Sequence, residues 1–346
     1  MKKRKEDIIN ALTKAQQIAF APLTFQAIAA MIELGILKEI DTKPTTKLEL
    51  KERLQLSDYA IDTLLEVGLA IEIIKHYQNK YIITKLGQTF LYDEMTRVNF
   101  NFVKDVCYAG AANLSESFKQ GTPCGLKNIY KDSSTIYPHL SELPIKMRNS
   151  WSEFDHYYSD NCFDIIYEII KEQPKIFDIG GNMGALEKVC LKNNPNCDIT
   201  MIDLPKNIDL IKDDEELQNC KFLAADILDE SIPLPTFEGC VVMSQFLDCF
   251  SKDKIEFILQ RIKKNSKKNT KIYILEPFID NQKFTAATYS LVHTSLYFTC
   301  MANGYSKMYS KMELEEIIQN AGMKVNKEYQ QVGAHDYTLL ECVIND

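Results

Sequence analysis

From Pro174 onward the chain is a series of short apolar runs separated by amphipathic segments: KIFDIGG, a helix, DITMIDLP, a helix, KFLAADIL, EGCVVMSQ, a helix, then KIYILEPF. Runs this short and this apolar must be covered on both faces. Parallel βα units provide that cover, so the pattern predicts an α/β layer fold with a mostly parallel sheet.

The first of its loops says most about function. Phe177-Asp178-Ile179-Gly180-Gly181-Asn182-Met183-Gly184 leaves an apolar strand and enters the helix ALEKVCLKN. Glycines there let the backbone turn sharply and let a ligand touch main chain. A dinucleotide fold wants G-x-G-x-x-G, and that register fails because position 182 is Asn and position 185 is Ala. Asp203 closes the second strand, 19 positions beyond Gly184, where a carboxylate can accept both hydroxyls of a ribose. Asp226 closes the third strand, and Asp178 can hold the loop or reach an ammonium group. The combination implies a nucleoside-bearing ligand.

The rest of the sequence sets bounds. A length of 346 residues suggests about two domains, and 45% apolar with 25% charged residues rules out a disordered or fibrous chain. A formal charge of −8 argues against an extended nucleic-acid surface. Ten cysteines lie scattered with no C-x-x-C, which suits a reducing cytoplasm, and no Cys/His cluster has the spacing of a metal site. Lys2, Lys3, Arg4 and Lys5 run into Glu6 and Asp7 rather than a signal core, and no apolar stretch is expected to span a bilayer. The expectation is a soluble, cytoplasmic protein.

Residues 8 to 37 read as two helices broken at Pro22. The stretch from Ala15 to Ile32 has no charge and needs a partner, either a second domain or a second copy of the chain. From Lys47 to Phe90 the order is helix, helix and a hairpin around Gln78 and Asn79, a winged-helix outline. Its second helix, DYAIDTLLEVGLAIE, has no Arg or Lys to read bases, so a transcription factor is disfavoured. The expected division is 1–98 as a winged-helix-like dimerisation domain, 99–170 as a helical bridge covering the active site, and 171–346 as the ligand-binding α/β domain.

FDIGGNMG, IDLP, AADIL, MSQFLDCFSKDKIEFILQRI, ILEPFI and the late AGMKV resemble S-adenosylmethionine-dependent O-methyltransferases of the small-molecule type, and the resemblance covers nearly the whole chain. It implies a Rossmann-like class I methyltransferase domain preceded by a winged-helix dimerisation domain, a homodimer, and S-adenosyl-L-methionine as cofactor. By that resemblance Gly180, Asn182 and Gly184 face the methionine part and the ribose, with Asp178 behind them. Asp203, with Leu204 beside it, binds the ribose; Asp226 and Ile227 bracket the adenine; Ser244 and Gln245 close the site beside the sulfonium. Asn182 stands where the family usually has Gly, a change that Asn's tolerance of left-handed backbone permits.

The family places His followed by Asp after the fourth strand, and this chain has Asp248 and Cys249 there. A carboxylate starts near pKa ~4 and a phenol near ~10. Three readings stay open: Asp248 acts as a perturbed base, another histidine substitutes, or the acceptor is acidic enough to need none. His156, in WSEFDHYYSD, and His293, in an apolar helix expected to roof the cavity, are the candidate histidines; His76, His139 and His335 read as surface or structural. Glu276 resembles the acid that orients the family's histidine, and Met308 stands where a second acid is expected. A cofactor-binding subunit with reduced catalysis therefore remains an alternative, as does C-methylation. Trp151, Phe154, Tyr157 and Tyr158, with Tyr297, Phe298, Met301 and Met308, give aromatic and thioether walls for a flat aromatic or polyketide-like acceptor.

Overall fold

The computed structural model describes residues 2–345. Within these, residues 2–100 and 101–345 form two compact units.

The first unit begins with one continuous helix, Lys2–Glu33, in place of the two expected. Pro22 sits inside it. A proline cannot donate to the carbonyl four residues earlier, yet apolar residues continue at helical spacing on both sides and carry the helix through. Three short helices follow, Ile36–Thr42 and two that carry their own start signals. Thr46 and Glu49 close a capping box on Lys47–Leu54, and the Ser57 hydroxyl accepts from the Ala60 N–H at the head of Asp58–Ala70. Strands β1 (Ile74–Tyr77) and β2 (Lys80–Ile83) form a hairpin whose two turn residues, Gln78 and Asn79, both have positive φ, as a tight hairpin turn requires. Ile28, Met31, Ile36, Leu37, Ile40, Leu50, Ile61, Leu65, Ile73 and Ile74 form the core of this unit.

The first helix departs from expectation in a second way. Its Glu6–Glu33 segment is long and apolar enough to cross a membrane by length and composition, and 17% of its apolar window is buried. Ile8, Leu12, Ile18, Phe20 and Leu23 are exposed.

The second unit holds a seven-stranded sheet in the order β5-β4-β3-β6-β7-β9-β8. Its strands are β3 (Ile176–Ile179), β4 (Ile199–Asp203), β5 (Lys221–Ala224), β6 (Cys240–Ser244), β7 (Lys271–Glu276), β8 (Met323–Val332) and β9 (Tyr337–Ile344). The first five pair in parallel, and β9 runs antiparallel to both β7 and β8. This is a Rossmann-like mixed sheet. Alternate residues feed opposite cores: Val241, Met243, Ile272 and Ile274 pack on one face, and Cys240, Val242, Tyr273 and Leu275 on the other. β3 pairs with both β4 and β6, so successive crossovers leave it in opposite directions. That switch point opens a crevice at the carboxyl ends of the strands. Residues 101–170 belong to the same unit and supply a third cluster, in which Phe102, Val106, Leu126, Ile136 and Leu143 pack with Tyr297, Phe298, Met301 and Met308.

Candidate functional site

A cavity of about 310 Å³ lies at this switch point. The glycine loop bends into it through three left-handed residues: Gly180 (φ 81°), Asn182 (φ 50°) and Gly184 (φ 74°). A Cβ on Gly180 would run into the Phe246 ring, which also lines the cavity, so only glycine fits there. The Asn182 N–H donates to Asp203 Oδ2 at 2.8 Å, and its side-chain amide donates to Asp155 Oδ2 at 2.9 Å. Asp203 also accepts from the Leu204 N–H at 2.6 Å and from Asn207 Nδ2 at 2.8 Å.

Asp178, Gly180, Asn182, Asp203, Leu204, Asp226, Ile227, Ser244 and Gln245 all line this one space. Gly184 does not: it opens the following helix, where a Cβ would press on Leu217. Five aspartates (155, 160, 178, 203 and 226) face the cavity, and among the described residues no lysine or arginine does. Such a wall favours a cationic ligand over an anionic one. Burial raises Asp178, and its neighbour Glu187, fully buried beneath the loop, lies well above the carboxylate range for the same reason. Three buried polar atoms of the lining have no hydrogen-bond partner among the described residues: Thr135 Oγ1, Ser244 Oγ and Gln245 Nε2. Native interiors rarely leave such groups unpaired unless a ligand or solvent satisfies them. A glycine cradle, an acidic wall and orphaned polar atoms together fit an adenosyl sulfonium.

The expected catalytic residues are not gathered in this space. Asp248 is 6% exposed and turns toward Glu276, sharing with it, Met308 and Tyr309 a separate gap of about 10 Å³. Glu276 Oε1 accepts from the Leu247 N–H at 2.9 Å, and its Oε2 has no partner. Burial pushes both carboxyls upward, and the Asp248 charge further opposes ionisation of Glu276. Cys249, not Asp248, faces the main cavity. His293 is exposed; its ring rests on Tyr289 and its Nδ1 lies 2.7 Å from that residue's carbonyl. The helix Thr285–Tyr297 therefore does not present it to the cavity. His156 does line the space, with Nδ1 3.2 Å from Asp160 Oδ2, and this hydrogen bond raises its pKa.

The expected acceptor walls divide in the same way. Trp151 lines the cavity and donates through Nε1 to Tyr297 Oη at 2.8 Å. Phe154 turns away to stack on Phe102, with centroids 4.0 Å apart. Tyr157 packs against His335, and Tyr297 and Met301 are buried in the helical cluster. Several lining residues escaped the sequence reading: Thr135, Tyr137, Asp155, Ser159, Asp160 and Asn207. For two of them the signal was helical spacing, since Asp155 and Ser159 follow Trp151 at intervals of four residues along one face of the helix Ile145–Ser159.

Residues 161–324 match the O-methyltransferase domain family, and residues 13–81 match the dimerisation2-like domain family. The L-tyrosine C(3)-methyltransferase of Streptomyces lavendulae is 25% identical over 198 residues, which span 54% of this chain and about half of that enzyme, 53%. The solved structure of the mitomycin 7-O-methyltransferase MmcR matches with a TM-score of 0.72 at 16% identity, over 98% of this chain and 99% of that one. Human N-acetylserotonin methyltransferase, solved in complex with SAM, matches with a TM-score of 0.66 at 17% identity, over 97% and 98% of the two chains. At such identities the structural likeness establishes the class I fold, and the two matched domains establish the family. A dimerisation2-like domain ahead of an O-methyltransferase domain on this sheet identifies the chain as a member of the S-adenosylmethionine-dependent small-molecule O-methyltransferases.

Proposed function

We propose that this chain methylates an oxygen of a neutral aromatic small molecule at the expense of S-adenosylmethionine, as a cytoplasmic homodimer. The observation that carries this reading is the convergence of four strand ends on one acidic cavity with unpaired polar atoms in its wall. Asp203 would hold the ribose, Asp226 and Ile227 the adenine, and Ser244 and Gln245 the end nearest the reacting atoms. When bound, S-adenosylmethionine supplies an electrophilic methyl carbon on a positive sulfur. The residues' main task is then alignment, which can lower a barrier by on the order of 7–11 kcal/mol. Trp151 and Leu140 offer apolar surface to an aromatic ring in the same cavity. Ten free cysteines suit a reducing compartment.

Calorimetric titration with S-adenosylhomocysteine tests the cofactor half of this reading. One site per chain is expected, with affinity reduced about tenfold or more in Asp203→Ala, through loss of hydrogen bonds to a charged group. No heat of binding at high micromolar ligand would end the reading.

One observation favours a second reading, a cofactor-binding subunit with reduced catalysis: the residue at the family's histidine position, Asp248, turns toward Glu276 and away from the main cavity. Transfer of labelled methyl from the cofactor to any phenol would exclude it.

A further inference from the structure

With Asp248 facing Glu276, a base for an un-ionised hydroxyl in the main cavity has to come from another element, and the lining contains a candidate. Asp155 projects from the helix Ile145–Ser159, one turn after Trp151, and accepts the Asn182 side-chain amide at 2.9 Å. It thus touches the glycine loop on one side. On the other, it lies near enough to Asp248 and Tyr297 for its charge to raise both of their pKa values. Its carboxylate accepts from the Asn182 amide, and a carboxylate's further lone pairs give it acceptor capacity for a ligand hydroxyl as well.

We propose that Asp155 is the general base of methyl transfer and that its partner is a neutral phenolic hydroxyl; this rests on the methyltransferase reading above. The acceptor's proton passes to a carboxylate oxygen of Asp155 as the phenolic oxygen forms its bond to the methyl carbon. The electron pair of the breaking sulfur–carbon bond stays on sulfur, which becomes a neutral thioether. Burial supports the assignment by lifting Asp155 to about 6, opposed by the His156 charge and the Asn182 hydrogen bond and reinforced by Asp160. That brings it closer to a phenol than an ordinary aspartate would be. The class of acceptor follows from the same wall. Among the described residues His156 is the one basic side chain in the lining, and Asp160 already engages it, so a carboxylate- or phosphate-bearing acceptor would meet an acidic wall with no free cation to pair with.

Asp155→Asn is the test, because the new amide oxygen can still accept from Asn182. Phenol and 4-nitrophenol serve as acceptors with S-adenosylmethionine. Without the base, methylation of phenol should fall about a hundredfold or more. Methylation of 4-nitrophenol, largely ionised at about pH 8, should fall by about threefold or less. A binding readout accompanies the rates: in the complex with S-adenosylhomocysteine, the visible absorbance of bound 4-nitrophenol should titrate at lower pH in Asp155→Asn, because a neighbouring carboxylate no longer repels the phenolate. Equal loss with both phenols, an unshifted titration, or an unchanged rate with phenol would overturn the assignment and leave the methyltransferase reading standing. A wild-type protein that binds S-adenosylhomocysteine but methylates neither phenol would end the phenolic reading and this proposal together.

Discussion

Asp155 shows at the level of one residue how a functional cavity strains the fold that holds it. Its carboxyl ionises near 4 in an unfolded chain and at about 6 in the folded one, chiefly because burial disfavours the charge. Below about pH 4 the group is neutral in both states and costs nothing. Between about pH 4 and 6 the unfolded chain ionises first, so folding stability falls as pH rises; above about 6 the loss is complete, on the order of 2–3 kcal/mol. Asp155→Asn is neutral throughout. Its urea midpoint should therefore exceed that of the wild type at about pH 8, and the gap should close as the pH approaches about 4. A gap of constant size across that range would mean the buried charge is not its source. The same substitution is expected to remove the base, so the variant should gain stability where it loses chemistry.

Among the elements, the glycine loop carries the tightest constraint. Gly180 combines a φ of 81° with a Phe246 ring where a Cβ would sit. Gly180→Ala should cost about 1–3 kcal/mol of stability through backbone strain. It should also weaken S-adenosylhomocysteine more than Asn182→Gly does, since glycine accepts a positive φ at position 182; paired urea melts and calorimetry measure both effects. If Gly180→Ala binds like the wild type, the loop shape does not set affinity.

This loop and the strands around it were legible in the sequence because their signals are local: apolar runs of strand length, turn residues between them, acids at strand ends. What was not legible was direction. The helix Ile145–Ser159 is aromatic on more than one side, and composition alone could not tell that Trp151 faces the cavity while Phe154 stacks on Phe102. Choosing His156 and His293 by residue type passed over Asp155, beside the first of them, and selected in the second a side chain that points to solvent. Pro22 misled for a related reason: a local rule against proline gave way to an apolar pattern that continued through it.

For the whole molecule, the first helix raises a question of assembly. Residues 6–23 are exposed along their whole run, Ile8, Leu12, Ile18, Phe20 and Leu23 each by more than half. An isolated apolar helix in water is both marginally stable and prone to association. A bilayer could cover it by length alone. The match of residues 13–81 to a dimerisation2-like domain favours a second copy of the chain instead. Sedimentation equilibrium should then give about twice the chain mass of 39.7 kDa. A Leu12→Asp, Leu23→Asp double substitution, which removes apolar area worth roughly 1.5–3 kcal/mol per buried leucine and adds charge at both positions, should shift the equilibrium toward the monomer. Because neither residue belongs to the core of its own chain, the variant's β-sheet unit should keep its far-ultraviolet signal and its S-adenosylhomocysteine affinity. A monomeric wild type that pellets with phospholipid vesicles would assign the helix to a membrane surface and remove the dimer.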